Sequence, residues 1–157
     1  MPSDSTDPRS ETGRTRTERP PSRLLLVELG GTLCGLDAEH VREIVGLLPV
    51  TRLPGAPPHV KGVVNLRGQL LTVVDLRQRL AGEPMTNPDG STLVVQAEER
   101  LLGVLVNDVR DVTLIDVVPS DQASVADAAG LVAGLGRLDD EVVLVIDVPE
   151  LVRQTLA

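Results

Sequence analysis

A chain of 157 residues with formal net charge −8 and no Phe, Tyr or Trp has the length of one ordinary domain with a real core, which Leu, Val and Ile must fill almost alone. The acidic charge opposes phosphate backbones and the missing rings remove every stacking platform for unpaired bases, so nucleic acid is excluded as a partner. No apolar run approaches the ~18–20 residues that span a bilayer and the N-terminus has no apolar signal region, so the expectation is a cytoplasmic protein without membrane insertion.

In chain order, residues 1–22 hold one hydrophobic residue, Met1, among Ser, Thr, Pro, Arg and acids, a composition that predicts a disordered N-terminal tail. A domain is expected over 23–157. It opens with a hairpin, residues 24–29 and 32–36 around Gly30-Gly31, in which the lone Cys34 reads as a small buried hydrophobe. Asp37 is then a candidate cap for a short helix, AEHVREIV, with Ala38, Val41, Ile44 and Val45 at helical spacing and Gly46 as its stop. Asp37, Glu39, His40 and Glu43 resemble a metal or acid-base cluster only superficially, because on a helix no two strong ligands converge with His40. His59 reads as a loop residue.

A second hairpin follows, residues 63–67 and 69–74 around Gly68, its outgoing strand a continuous apolar run suited to burial on both faces. It ends at Asp75, a plausible helix N-cap before LRQRLAG. The pattern then repeats: residues 92–97 and 100–106 flank Glu98-Glu99, residues 135–138 and 142–146 flank Asp139-Asp140, and Asp147 stands before VPELVRQTLA with Pro149 tolerated in the first helical turn. GLGRLD (134–139) lacks the third glycine of a dinucleotide fingerprint and is followed by acids, which argues against a phosphate cradle. Two histidines and one buried thiol offer no nucleophile-centred set. The expectation is a protein that is not an enzyme, with no catalytic residues, cofactor or metal.

Laid on itself, the chain matches in two ungapped registers. Shifted by 68, Leu33-Cys34-Gly35-Leu36 falls on Leu101-Leu102-Gly103-Val104, and Val41-Arg42-Glu43-Ile44 on Val109-Arg110-Asp111-Val112. Shifted by 72, Gly62 falls on Gly134, Leu70-Leu71 on Val142-Val143, and Val73-Val74-Asp75-Leu76 on Val145-Ile146-Asp147-Val148. Residues of about 24–82 and 92–153 are thus two copies of one plan, with four extra residues in the second between Thr113 and Val132. Four short strands and one or two helices per copy favour small curled sheets or barrels.

Positions that match carry the fold, and positions that differ are free to carry function. The largest difference is the tip Asn65-Leu66-Arg67-Gly68 against Arg137-Leu138-Asp139-Asp140, a cation where the twin has an anion. Arg67 is a candidate anchor for a partner's acidic or carbonyl groups through its planar fork; an intramolecular salt bridge and a solvated turn residue are the structural alternatives.

Gly62-Val63-Val64-Asn65-Leu66-Arg67-Gly68, followed by Val73-Val74-Asp75-Leu76-Arg77, resembles the signature of the CheW-like chemotaxis coupling proteins. Val41-Arg42-Glu43-Ile44, the run Val50-Thr51-Arg52-Leu53-Pro54 and Gly134-Leu135-Gly136 add to the likeness, which covers about residues 23–153. The resemblance implies two small SH3-like β-barrel subdomains with short helices. It implies an adaptor that couples chemoreceptor cytoplasmic tips to the regulatory domain of a CheA-type histidine kinase in a chemosensory array, with other CheW-like proteins as further candidate partners. Carried over by residue, Asn65, Leu66, Arg67 and Gly68 would lie in or beside a receptor-contacting groove, while Val41, Glu43 and Gly62 match positions linked to receptor or kinase coupling. Thr72 replaces a common Pro, and Cys34 stands where a ring is frequent. Two other readings remain open: a diverged regulator that occupies array sites without linking a kinase, and a small-ligand-binding or hydrolytic β-barrel, which would need an apolar pocket with convergent polar groups.

Overall fold

The computed structural model describes residues 20–85, 90–119 and 130–156. The tail expected over 1–22 lies outside them apart from Pro20, Pro21 and Ser22, and Ser22 already opens the first strand. The fold is mostly β. It comprises β1 (Ser22–Leu29), β2 (Thr32–Asp37), a 3-10 turn (Ala38–His40), β3 (Val41–Val45), β4 (Val60–Leu66), β5 (Gln69–Asp75) and α1 (Leu76–Ala81). The second half supplies β6 (Ser91–Ala97), β7 (Arg100–Val106), β8 (Asp108–Ile115), β9 (Val118–Pro119), β10 (Val132–Leu138), β11 (Glu141–Ile146) and α2 (Val148–Leu156).

These strands form two sheets, one in the order β8-β1-β2-β11-β10-β9 and the other β3-β6-β7-β5-β4. Both sequence copies are present in each. The hairpin β1-β2 of the first copy sits among strands of the second, and β6-β7 of the second sits among strands of the first. Four pairings join the halves, two of them antiparallel, β3 with β6 and β1 with β8, and two parallel: β5 beside β7, with Val73 opposite Gly103, and β11 beside β2, with Val145 opposite Gly35. We call the five-stranded sheet barrel one and the six-stranded sheet barrel two.

The exchange explains why the strands read as unbroken apolar runs. Successive side chains of a strand point to opposite faces, and here both faces are covered. On β1, Leu24 and Leu26 enter the core of barrel two with Leu33, Ile115, Val143 and Val145, while Leu25, Val27 and Leu29 enter a central core between the sheets. On β6, Val94 faces the core of barrel one with Val64, Leu71, Val73 and Leu105, while Leu93 and Val95 face the central one. Both helices close that central core, α1 through Leu76 and α2 through Val148, Leu151 and Val152. Each fully buried Leu or Val stabilises by about 1.5–3 kcal/mol, so the shared core dominates cohesion.

One element differs from the sequence expectation. The helix read over AEHVREIV is a single 3-10 turn in which the Asp37 carboxylate accepts from the Glu39 N–H at 2.9 Å, and the chain continues as strand β3. Ala38, Val41, Ile44 and Val45 satisfy a helical period, yet Val41, Ile44 and Val45 are β-branched, and the free edge of β6 pairs with them from Val41 opposite Val95 to Val45 opposite Thr92. Its counterpart β8 pairs with β1 in the same way, so each copy has a fifth strand. The equivalence of Thr51, bridged to Val63, with Val118, paired to Leu135, places the second copy's extra residues after Val118.

Asp75 and Asp147 occupy equivalent junctions with unequal tasks. Asp75, 1 % exposed, accepts from the Gln78 N–H at 3.1 Å and from the Met85 N–H at 2.7 Å, tying down both α1 and the chain that leaves it. Asp147 accepts from the Glu150 N–H at 3.0 Å. Asp75→Ala is therefore expected to lower the unfolding free energy by about 2–3 kcal/mol and Asp147→Ala by about 1 kcal/mol; equal losses in urea titrations followed by circular dichroism would contradict the unequal roles.

Cys34 is fully buried, and burial pushes its thiol up from 9.0 to about 12. The unfolded chain keeps the ordinary value, so between about pH 9 and about pH 12 the folded state binds more protons and stability falls as pH rises. Wild type should lose more stability than Cys34→Ala between about pH 8 and about pH 10.5, read as the shift in urea midpoint; parallel losses in the two proteins would argue against this assignment.

Candidate partner-binding site

The β4-β5 hairpin turns through Arg67 and Gly68, whose φ values of 52° and 86° are those of a two-residue turn with both residues left-handed, the form whose twist matches the flanking strands. Asn65 locks the turn: its Oδ1 accepts from the Gly68 N–H at 2.7 Å. Arg67 carries a Cβ into a region that costs an L-residue about 1–2 kcal/mol, so this turn holds the guanidinium at a fixed place. The side chain is 68 % exposed.

There Arg67 meets Glu43 of β3. Its Nη2 donates to both Glu43 carboxylate oxygens, Oε2 at 2.7 Å and Oε1. That hydrogen bond, and then the Glu43 charge, lift the Arg67 guanidinium above its already high value. The contact spans the seam of barrel one, because β3 and β4 are the two edges of its sheet. Of the alternatives left open for Arg67, an intramolecular ion pair is present, and one face of the guanidinium remains in solvent.

The other candidate residues divide. Asn65, Arg67, Gly68 and Glu43 come together at this tip. Leu66 is half-buried against the core of barrel one, and Val41 is half-buried against the central core. Gly62 is a packing position: at φ 144°, a Cβ there would stand 2.1 Å from the Thr51 carbonyl oxygen. The same chain segment is bonded to β4 in both directions, Thr51 N–H to the Val63 carbonyl and Val63 N–H to the Thr51 carbonyl, each at 2.8 Å. A Cβ on its twin Gly134 would likewise stand 2.4 Å from the Val118 carbonyl oxygen, which is why the glycine recurs.

Around the tip lies apolar surface that sequence reasoning missed. Leu70 stands opposite Asn65 on the same outer face and is 74 % exposed. Ile44, Leu47, Val50 and Leu53 are also exposed, the last three on the segment that Gly62 admits. Leu70 belongs to an apolar run read as buried on both faces, and only the sheet order reveals that its outer face is uncovered. Barrel two has an equivalent exposed set, Val112, Leu114 and Val142.

On barrel two the charges are reversed, and the contacts do not join its two edges, β8 and β9. Arg110 of β8 donates to Glu28 at 2.8 Å and to Glu141, beside the tip, at 3.5 Å. On barrel one the tip is the cation and the edge strand the anion; on barrel two the tip is acidic. Among the described residues no group of three or more His, Cys, Asp and Glu could hold a metal ion, and no helix is long and apolar enough to cross a membrane.

The CheW-like domain model matches residues 23–156. A chemotaxis protein CheW of Klebsiella aerogenes is 31% identical over 131 residues, which cover 81% of this chain and 79% of that protein. A probable chemotaxis protein CheW of Rhizobium etli is 31% identical over 136 residues, 84% of this chain and 88% of that protein. The crystal structure of the scaffolding protein TtCheW from Thermoanaerobacter tengcongensis superposes with a TM-score of 0.73 at 29% identity, covering 81% of this chain and 89% of that one.

Gly62→Ala is expected to cost roughly 2–3 kcal/mol of stability, as overpacking against backbone does, and to loosen the segment bearing Leu47, Val50 and Leu53. Denaturant unfolding measures the first effect; a variant as stable as wild type would show that Gly62 is not held by Thr51.

Proposed function

Since this chain belongs to the CheW-like domain family of chemotaxis scaffold proteins, we propose that it is a cytoplasmic adaptor that couples chemoreceptor tips to the regulatory domain of a CheA-type histidine kinase. The observation that carries the receptor half is the Arg67 tip. A guanidinium fixed by a left-handed turn and half satisfied by Glu43 keeps donors in solvent for a partner's acidic or carbonyl groups, and the pair with Glu43 holds it in one orientation before docking. Val41 and Gly62 then act through position, Val41 by seating β3 in the central core and Gly62 by admitting the segment around Thr51.

The kinase half rests on the exposed apolar residues. Leu70 with Ile44 on barrel one, and Val142 with Val112 on barrel two, supply what an apolar interface needs at its centre. With no rings of its own, the chain would leave aromatic anchors to its partners. Location at receptor arrays follows from the same proposal.

In binding measurements with a receptor cytoplasmic tip and a kinase regulatory domain from the same genome, Arg67→Glu should weaken receptor binding about tenfold or more at unchanged melting temperature. Leu70→Glu and Val142→Glu should instead weaken kinase binding. Failure of wild type to bind either partner would overturn the proposal, and loss of both partners on Arg67→Glu would overturn the division of surfaces.

A further inference from the structure

Barrel two has a hollow beside the link from β8 to β9. In barrel one, residues 46–50 link β3 to Thr51, and Leu48 from that link packs onto the core. In barrel two, Asp116 and Val117 link β8 to β9, and Val117 likewise packs onto the core of its barrel. Beside that link lies a cavity of about 540 Å³ whose walls include Leu114, Val118, Leu135 and Leu138, with Asp116 and Asp139 among its lining residues. One wall is tight, since a Cβ on Gly136 would stand 2.4 Å from Ile115. Leu114 is 61 % exposed, Val118, Leu135 and Leu138 are half-buried, and both acids are exposed.

We infer that this hollow receives an aromatic side chain that a partner protein presents next to a basic residue. The volume falls in the range of sites that enclose compact ligands, and an apolar floor gains most from a broad, stiff ring. Two carboxylates at the rim favour a cation beside that ring. The nearest guanidinium, Arg137, donates instead to the Asp139 carbonyl at 3.4 Å, and it leaves the Asp139 carboxylate to the partner. A second copy of the chain cannot be the donor, because it contains no Phe, Tyr or Trp. The site lies on barrel two, away from the Arg67 tip, and does not depend on the adaptor role.

The missing rings also make the test clean, since any ring-current shift of a methyl resonance must come from the probe. The full chain, methyl-labelled on Leu and Val, is titrated at about pH 6 with tryptophanamide, whose α-amine is then protonated, with neutral N-acetyl-tryptophanamide, and with leucinamide, a cation without a ring. Tryptophanamide should move the methyls of Leu114, Val118, Leu135 and Leu138 upfield and bind several-fold more tightly than either other probe. The double variant Asp116→Asn, Asp139→Asn should abolish the preference of the site for the charged ring over the neutral one, and Leu114→Ser should weaken both at unchanged melting temperature. Absence of upfield shifts at those methyls, equal binding of all three probes, or shifts confined to Leu70 would each overturn the inference.

Discussion

Four strand pairings between the sequence copies hold this molecule together, β5 with β7 and β2 with β11 in parallel, β3 with β6 and β1 with β8 antiparallel. Each joins a strand of one sequence copy to a strand of the other, so neither barrel is complete without both copies. A chain without aromatic side chains has only Leu, Val, Ile and Ala with which to fill a core, and two independent barrels of about sixty residues each would bury too small a fraction of their surface to be secure. Exchange of the opening hairpins solves this by creating a third, central core that both sheets and both helices share. The surface ion pairs contribute little beside it; the one between Arg67 and Glu43 fixes the geometry of its tip.

The same exchange accounts for where the protein can meet partners. Strands committed on both faces leave little outer surface for recognition, which moves it to the hairpin tips, the edge strands and the start of each outgoing strand. The two barrels share a backbone plan but differ in those positions. Barrel one presents Arg67 backed by Glu43, with Leu70 alongside. Barrel two presents an acidic tip backed by Arg110, with Val142 alongside and a hollow next to it. Duplication supplied one scaffold twice, and charge reversal made the two ends chemically distinct, as the proposed adaptor role would require.

Much of the fold was legible because the repeat marks it. Gly62 and Gly134 recur since each lies against a carbonyl oxygen, and Asp75 and Asp147 recur since each ends a strand and begins a helix. The partner of each hairpin was not legible, because two copies that match one another are equally consistent with pairing inside a copy or across copies. Strand β3 was hidden for a different reason: its three apolar residues, with Ala38 before them, fit a helical period, and only the free edge of β6 decides for the strand. At the site, Arg67 stood out by differing from its twin, and Glu43 by resemblance to a family, but their direct contact is a product of the barrel seam. Leu70 and Val142 matched each other in the repeat and read as core, since exposure at the start of a strand depends on what covers the sheet.

The central claim is that one chain holds two unlike partners at once. The most direct measurement immobilises the kinase regulatory domain, adds a receptor cytoplasmic tip, and records the tip retained as this chain is titrated in. Retention that appears only with the chain present, rises with it and then falls when excess chain saturates each partner separately is the predicted result. Retention that does not depend on the chain, or binding of one partner that displaces the other, would contradict the account.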